Sequence, residues 1–334
     1  MSKDIYDLTI IGAGPTGLFG AFYAGLRSLK TKIIEALPEP GGQLAVLYPE
    51  KMIYDVPGFP HVMARDLVRE LVEQTKRFDP TYIFEQSVSS LRREIYNGEE
   101  YWVLNTEEEE HWTKAMLISA GIGAFTPNTL PVSGISEFDG RGVFHFVQDR
   151  RPFRHKKVLI VGGGDTAIDW ALNLNQWADQ ITLIHRRSGF RAHESSLAEL
   201  RETDIEMLTH FELETVEGTD TVERALISSN KEDDQRSIDV DIVLLSLGFK
   251  ASLGPMLEWG LNLADQRHIR VDGFMQTNLP GIYAAGDIAA VEGSEPMSLI
   301  VTGFGQAAIA ANAAHTYINP ESKLFPGHSS ELRL

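Results

Sequence analysis

Two short glycine-rich segments in this chain have the spacing of a loop that binds phosphate groups. The first covers residues 12–17, Gly-Ala-Gly-Pro-Thr-Gly, and the second covers residues 162–167, Gly-Gly-Gly-Asp-Thr-Ala. In such a loop the first glycine allows a tight turn, the second lets the backbone approach a pyrophosphate, and the third position, Gly or Ala, lets a helix pack closely on a strand. The start of that helix offers unpaired N–H groups to the anion. We therefore expect two dinucleotide sites, formed by Gly12, Gly14, Gly17, Gly162, Gly164, Asp165, Thr166 and Ala167.

The segments around both loops have the patterns of a strand and a helix. Residues 5–11 form a strand-like run that leads into the first loop, and residues 18–26 have an apolar helix pattern. Residues 158–161 and 168–177 flank the second loop in the same way. A single glycine motif is weak evidence, but two copies in a strand–turn–helix context predict two Rossmann-like units.

The next strand of each unit should end beside the ribose of a bound nucleotide. Glu35 and His185 end these strands at the same offset from the first glycine of their loops. A carboxylate such as Glu35 accepts hydrogen bonds from ribose hydroxyls and repels a 2′-phosphate, which suits FAD or NAD. Arg186 and Arg187 can bind a 2′-phosphate, which suits NADP, and Arg191 can add a third charge. Each residue has a simpler alternative. Glu35 could be a solvated charge at a strand end, the two adjacent arginines could lie in an exposed turn, and Arg191 could form a surface salt bridge.

The composition restricts the chemistry to what a cofactor can supply. The 334 residues include no cysteine, which excludes disulfides, thiolate metal sites, Fe–S ligation and a dithiol redox centre. The ten histidines are scattered, and we expect no metal site. A net charge of −17 argues against general affinity for nucleic acid or anionic lipid. Two dinucleotide sites in one such chain fit a flavin and a nicotinamide placed for hydride transfer.

The first residues and the uncharged stretch near the end of the chain indicate where in the cell the protein is found. The first residues lead straight into a strand and lack the pattern of a signal peptide. The uncharged stretch 296–320 carries polar residues and glycines, so it predicts a buried helix over about 299–317 rather than a membrane span. We expect a cytoplasmic protein without a membrane segment.

The domain order follows from where the second unit is inserted. Strand patterns that end in glycine turns at 117–121 and 242–248 mark the crossings out of and back into the first domain. The sequence therefore predicts an α/β fold with two Rossmann-like dinucleotide-binding domains. Residues 1–121 and 249–334 form the FAD domain, and the NADPH domain, residues 122–248, is inserted into it. Asn97-Gly98 predicts a hairpin turn in the first domain.

Several later motifs carry a family resemblance. Residues 277–287, which end in Ala-Ala-Gly-Asp, together with 140–143 and 185–192, resemble the thioredoxin-reductase-like flavoproteins. The stretch 144–151, where thioredoxin reductases carry Cys-x-x-Cys, has no thiol, which excludes disulfide reduction. Within that superfamily, residues 41–60 and the tail Phe-Pro-Gly-His-Ser-Ser at 325–330 resemble the ferredoxin–NADP reductases of the thioredoxin-reductase type.

This resemblance implies a homodimer with FAD and NADPH, in which a hydride passes to FAD and single electrons pass to ferredoxin or flavodoxin. It implies that Tyr48 stacks on the flavin ring, that His328 covers the opposite face, and that the tail 319–334 lies near the flavin. The tail has Ser329 where threonine is commoner, which keeps a hydroxyl. The FAD contacts implied are Thr16, Glu35, Gln43, Tyr48, Val88, Phe125, Gly286, Asp287 and Ser329. The NADPH contacts outside the loop are His185, Arg186, Arg187 and Arg191.

The motifs above do not identify the electron acceptor. A quinone, oxygen or another small acceptor, or a non-catalytic flavin and nicotinamide sensor, would share every motif above. A cluster of five cations within eight residues is a candidate docking patch for an acidic ferredoxin, the alternative being an ordinary solvated turn. The patch consists of Arg150, Arg151, Arg154, Lys156 and Lys157.

Overall fold

The computed structural model describes residues 3–147, 149–325 and 327–329, with the backbone alone at 124–126 and 251. The chain folds as two compact units. The outer unit comprises Met1–Phe125 and Ala251–Leu334, and the inserted unit comprises Thr126–Lys250. Each unit has its own parallel sheet and its own core.

The strands of the described residues are numbered in chain order. The first ten are β1 (Ile5–Ile11), β2 (Thr31–Ile34), β3 (Met52–Ile53), β4 (Val62–Met63), β5 (Thr81–Ile83), β6 (Ser90–Tyr96), β7 (Glu99–Asn105), β8 (Glu110–Ile118), β9 (Ala124–Pro127) and β10 (Val143–Phe144). The others are β11 (Lys157–Gly162), β12 (Gln180–His185), β13 (Glu206–Thr209), β14 (Phe211–Gly218), β15 (Val222–Ser229), β16 (Gln235–Asp239), β17 (Ile242–Ser246), β18 (Phe249–Ser252), β19 (Ile269–Val271), β20 (Ile282–Ala284) and β21 (Ala289–Val291).

The helices of the described residues are numbered in the same way. They are α1 (Pro15–Leu26), α2 (Gln43–Val46), α3 (Ala64–Lys76), α4 (Asp165–Leu174), α5 (Glu194–Arg201) and α6 (Ile300–Ile318), with short 3-10 helices at Arg151–Phe153 and Gly254–Glu258. A helix with the length and hydropathy to span a bilayer is absent from the described part of the chain.

The main sheet of the outer unit has the order β5-β2-β1-β8-β7-β6. Strands β5, β2, β1 and β8 are parallel, with Ile10 of β1 opposite Ile33 on one side and Leu117 on the other. All four residues of β2 are buried, which is typical of a parallel sheet covered on both faces. The turn at Asn97 and Gly98 has positive φ angles at both residues and joins β6 to β7, so the predicted hairpin is confirmed.

Strand β8 changes its partner halfway along. Its first residues pair antiparallel with β7, from Glu110 to Thr113. From Met116 to Ile118 it pairs instead with β20, which runs parallel to it. The β6–β7 hairpin therefore leaves the parallel layer before the carboxyl end of the sheet, and β20 takes its place there.

Helix α1 begins at Pro15, directly after Gly14, and ends at Leu26. Proline is accepted in the first turn because its missing N–H has no helical partner there, which explains why the helix starts three residues before the predicted 18–26. Apart from Leu18, its buried residues are all Gly or Ala. A Cβ on Gly20 would lie 2.8 Å from a methyl of Leu117, so this glycine lets α1 lie directly on the sheet.

Helix α6 packs on α1 and confirms the helix predicted over 299–317. Its buried residues are nearly all alanine, which lets the two helices approach closely. They are Gly303, Ala307, Ala310, Ala311, Ala313 and Ala314.

The inserted unit has a five-stranded parallel sheet in the order β10-β17-β11-β12-β13. A three-stranded antiparallel sheet, β14-β15-β16, belongs to the same unit. Helix α4 covers Asp165–Leu174 rather than the predicted 168–177, because it starts directly after Gly164 and the chain turns away at Trp177. The doubly wound fold thus occurs twice, as the paired glycine loops predict.

Candidate functional site

A cavity of about 390 Å³ lies in the outer unit, at the carboxyl ends of β1, β2, β8 and β20. In parallel α/β sheets this edge is where ligands bind. Nine of the residues predicted to contact FAD line this one cavity. They are Gly12, Gly14, Thr16, Glu35, Gln43, Tyr48, Val88, Gly286 and Asp287.

The three glycines of the first loop meet different surroundings. A Cβ on Gly12, whose φ is +100°, would lie 2.6 Å from the carbonyl oxygen of Ser119, and a Cβ on Gly17 would lie 1.9 Å from that of Gly12. Gly12 is thus required by the close approach of the chain that follows β8, and Gly17 by the packing of the loop itself. A Cβ on Gly14 would meet nothing within 4 Å. The space beside Gly14, at the uncapped start of α1, therefore fits a pyrophosphate.

The side chain of Glu35 is fixed at the end of β2 and is 7% exposed. One carboxylate oxygen accepts a hydrogen bond from Ala13 N at 2.7 Å, and the other accepts one from Leu37 N at 3.0 Å. Burial raises the pKa of Glu35, and these backbone N–H groups oppose that effect. Each oxygen keeps a lone pair for a further donor. The residue thus fits the ribose hydroxyls of an adenosine.

Another part of the cavity lining combines a polar pair with an aromatic ring. Gln43 Nε2 donates to Asp287 Oδ2 at 3.3 Å. Burial raises the pKa of Asp287, and it also raises the pKa of Tyr48 to about 12, with the charge of Asp287 adding to the effect. Tyr48 is therefore a neutral phenol at neutral pH. A carboxylate–amide pair and a ring fit the ribityl hydroxyls and the face of a flavin.

The beginning of α6 belongs to this site. Ser298 and Ile300 line the cavity, and Gln306 Oε1 accepts a hydrogen bond from Gly286 N at 2.7 Å. A Cβ on Gly303 would lie 2.3 Å from Thr16 Oγ1. The helix is thus tied to both the Gly-Asp turn and the first loop.

Three predicted residues lie elsewhere. Gly17 faces the loop backbone and serves packing. His328 and Ser329 are described, but neither is among the residues that line the cavity. The side chain of Phe125 lies outside the described residues, as do Ser330 and the remainder of the tail.

The cavity also includes residues that sequence reasoning missed. Gln86 and Ser87 precede Val88, and the segment Leu253–Trp259 follows the return of the chain to the outer unit. The signal for Gln86 and Ser87 is their position shortly after β5 in the parallel sheet. The segment at 253–259 carries no local signal, because its place depends on the long-range return of the chain.

The second glycine loop, in the inserted unit, has the same division of roles. A Cβ on Gly162 would lie 2.4 Å from the carbonyl oxygen of Ser246, and one on Gly163 would lie 2.2 Å from the ring of His185. The nearest atom to a Cβ on Gly164 would be Arg191 O, at 4.0 Å. Here too the second motif glycine has open space at the start of a helix, which fits the pyrophosphate of a nucleotide.

The arginine segment is held against this loop. Arg191 N donates to Gly163 O at 2.7 Å, and the His185 ring stacks on the ring of Phe190 with their centroids 5.4 Å apart. Burial, with the charges of Arg187 and Arg186, lowers the pKa of His185. The carboxylate of Asp165, in the second glycine loop, accepts a hydrogen bond from His193 N at 3.0 Å. This bond holds the end of the arginine segment against the loop.

The three guanidinium groups of this segment are exposed. Within the described residues, none of Arg186, Arg187 and Arg191 forms an ion pair with a carboxylate. Three cations without a counter-ion next to a phosphate-binding loop fit a 2′-phosphate.

The candidate docking patch is less positive than its sequence indicates. Arg151 pairs with Asp149 at 2.6 Å, and Lys156 pairs with Asp241 at 3.4 Å. Arg150 and Arg154 lie over the ring of Trp177, at 5.4 and 5.8 Å from its centroid.

Among the residues that the structure describes, no group of three or more acidic or His side chains could hold a metal ion.

Comparison with known proteins gives a consistent result. The model of the family described as pyridine nucleotide-disulphide oxidoreductase matches residues 6–314. The chain is 50% identical over 335 residues to a ferredoxin–NADP reductase of Symbiobacterium thermophilum and 49% identical to one of Thermus thermophilus; each alignment covers 99% of this chain and 98% of the relative.

Solved structures show the same fold. The thioredoxin reductase of Lactococcus lactis has a TM-score of 0.76 and 26% identity, over 94% of this chain and 99% of that one. The thioredoxin reductase of T. acidophilum also has a TM-score of 0.76, at 21% identity over 96% of this chain and 100% of that one. The predicted fold class is confirmed.

Proposed function

Because the chain belongs to the pyridine nucleotide-disulphide oxidoreductase family, and within it to the ferredoxin–NADP reductases, we propose that it transfers electrons between NADPH and ferredoxin through FAD. The observation that carries this function is the convergence of nine predicted FAD contacts on one cavity, in a chain without cysteine. When bound, FAD accepts a hydride from NADPH and releases electrons singly, which no side chain can do.

We assign FAD to the outer unit and NADPH to the inserted unit. In the outer unit, Glu35 binds the adenosine ribose and the backbone beside Gly14 binds the pyrophosphate. Gln43 and Asp287 orient each other at the ribityl chain. In the inserted unit, Gly164 provides the space for the pyrophosphate and the three exposed arginines bind the 2′-phosphate.

We assign the flavin ring to the part of the cavity beside Tyr48. The raised pKa of Tyr48 keeps its phenol neutral, so the ring adds no charge beside the flavin. The tail then supplies His328 to the opposite face and the Ser329 hydroxyl as a hydrogen-bond donor or proton carrier. The support for the tail is its sequence and the contact between the Phe325 and His328 rings, whose centroids are 5.4 Å apart.

Steady-state kinetics test the function directly. We expect NADPH-driven reduction of ferredoxin or flavodoxin at rates that small dyes, quinones and oxygen do not match at equal concentration. Reduction of quinone or oxygen alone would assign the chain to a small-acceptor oxidoreductase. Failure with every acceptor, with FAD and NADPH still bound, would indicate a sensor.

Deletion of the chain from His328 onward tests the tail. We expect the flavin fluorescence and the rate of flavin reduction by NADPH to change, because the ring loses its cover. Ferredoxin turnover should fall about tenfold or more, since a positioned proton donor commonly contributes at least this much. Stopped-flow reduction and fluorescence identical to the full-length protein would exclude the covering role.

We propose that ferredoxin docks on the patch formed by Arg150, Arg151, Arg154, Lys156 and Lys157. Ferredoxins are commonly acidic, and the chain itself has a net charge of −17, so a local cationic surface must steer the encounter. The ring of Trp177, beneath the guanidinium groups of Arg150 and Arg154, adds an aromatic surface to the charge. Arginine and tryptophan are enriched at energetically important interface positions.

Charge reversal tests the patch. The double variant Arg150→Glu, Arg151→Glu should slow ferredoxin reduction about tenfold at low salt, because steering depends on these charges. Dye reduction should be unchanged, and the difference should disappear at high salt. Arg69→Glu, on the exposed face of α3 in the outer unit, is the matched control. Ferredoxin kinetics that stay the same at every ionic strength would reject the patch.

We also propose a cytoplasmic homodimer. The cytoplasm holds the NADPH on which the reaction depends. Support for a second copy comes from a group of apolar residues exposed at and before α6, since such patches commonly mark interfaces. They are Met297, Leu299, Val301, Ile309 and Tyr317. Sedimentation of the holoenzyme at micromolar concentration tests the assembly.

A further inference from the structure

Arg27 is a buried arginine directly after the end of α1. Its residue is 8% exposed, and within the described residues it forms no ion pair with a carboxylate. Burial lowers the pKa of its guanidinium. A buried charge is tolerated only where hydrogen bonds replace its water. The partners of Arg27 therefore indicate what the residue is for.

The guanidinium joins α6 to the chain that follows it. Arg27 Nη1 donates to Asn312 Oδ1 at 2.7 Å and to Leu324 O at 2.9 Å. Nη2 forms a bond to His315 Nδ1 at 2.6 Å and donates to Lys323 O at 2.9 Å. Each terminal nitrogen thus uses one hydrogen on the helix and the other on the tail. The four terminal hydrogens have partners.

His315 is suited to accept this bond. Burial, together with the charge of Arg27, lowers the pKa of His315, so its ring is neutral at neutral pH. Its Nδ1 also contacts Ser322 Oγ at 3.1 Å. Ser322 in turn donates from its hydroxyl and from its backbone N to Asn319 O, at 2.7 and 2.9 Å. The turn that brings the tail back along α6 is therefore closed at the same place.

We propose that Arg27 is a positioning residue for the reaction: it anchors the carbonyl groups of Lys323 and Leu324 and so fixes where the C-terminal tail begins. Phe325, the next residue, contacts the ring of His328. Only three residues separate the anchor at Leu324 from His328. This inference rests on the proposed function, in which the tail carries His328 and Ser329 to the flavin.

The hydrogen bonds of Arg27 are not needed to pack α1 on α6. Helices α1 and α6 already meet through small residues, with a Cβ on Gly20 only 3.7 Å from that of Ala307. In the described part of the chain, the hydrogen bonds that hold Lys323 and Leu324 come from Arg27. Half of the arginine's terminal bonds are therefore made to the tail.

The experiment uses full-length holoenzyme with Arg27→Met, which keeps most of the side chain and removes the four donors. Hydrogen exchange of the peptide covering 320–329 should become about tenfold faster or more, since an opened segment loses its protection. FAD content should be unchanged, while the rate of flavin reduction by NADPH and the ferredoxin turnover should change to the levels of the deletion from His328. Arg27→Lys, which keeps the charge but cannot make all four bonds, should be intermediate and guards against a folding defect.

Two controls separate an effect through the tail from a general one. Arg69→Met removes an exposed arginine from α3 and should leave tail exchange and turnover unchanged. Arg27→Met in the enzyme truncated from His328 should cause no further loss of ferredoxin turnover.

Tail exchange unchanged in both Arg27 variants would overturn the inference, as would a further tenfold loss in the truncated enzyme. Faster tail exchange with unchanged ferredoxin turnover would support the anchor and reject the role that the proposed function gives to the tail.

Discussion

Protein carrying Glu35→Arg is expected to be purified without FAD. The substitution removes both acceptors at the end of β2 and places a long cation where the ribose must lie. Two hydrogen bonds to a charged group contribute about 1.5–3 kcal/mol each, so FAD binding should weaken by at least about a hundredfold. The ratio of flavin absorbance to protein absorbance measures the loss, and titration of the apoprotein with FAD gives the affinity.

Two further variants make this result interpretable. Glu39→Arg introduces the same change of charge four residues away on an exposed side chain and should retain FAD. Glu35→Gln keeps the size of the side chain and should bind FAD more weakly than the wild type while staying folded. Unchanged FAD affinity in Glu35→Arg would show that the ribose site is wrongly assigned.

The double variant Arg186→Ala, Arg187→Ala should lose the preference for NADPH over NADH. Both guanidinium groups are exposed beside the loop at 162–167, where a 2′-phosphate would meet them. At about 1.5–3 kcal/mol per charged hydrogen bond, kcat/KM for NADPH should fall by more than a hundredfold. The value for NADH should change little, because NADH has no 2′-phosphate to lose.

Flavin reduction by each coenzyme, measured by stopped flow, checks this expectation. Arg236→Ala is a matched control, since Arg236 is an arginine of the same unit that already pairs with Asp234. An equal loss with NADPH and NADH would contradict a role at the 2′-phosphate and would point to a general effect on the inserted unit.

The parts of the site that are local in sequence could be predicted. Gly17 is required because a Cβ there would meet the carbonyl oxygen of Gly12, and this constraint belongs to a single strand–turn–helix unit. Glu35 and Arg186 follow the next strand of such a unit, so their spacing from the glycines is fixed by the fold. Short-range geometry of this kind leaves a readable pattern.

The residues that could not be predicted are brought together over long distances. Trp259 joins the cavity lining only after the chain has left the outer unit and returned. Arg27 has the type and position of an ordinary solvated residue after a helix, but its guanidinium is held by α6 and by the tail that follows it. Neither event has a signal in the neighbouring residues. The helix starts at Pro15 and Asp165 were missed for a smaller reason, since apolar periodicity begins later than the helix itself.

The partner change along β8 has a consequence for the order of folding during synthesis. The second half of β8, Met116–Ile118, pairs with β20 at Ile282–Ala284, and α1 packs on α6 at Ile300–Ile318. Until those late segments leave the ribosome, β8 presents an unpaired apolar edge, which is a template for wrong pairing. The inserted unit is continuous from Thr126 to Lys250 and can complete its sheet before then. The earliest residues of the chain therefore reach their final packing only when the last fifty or so have emerged.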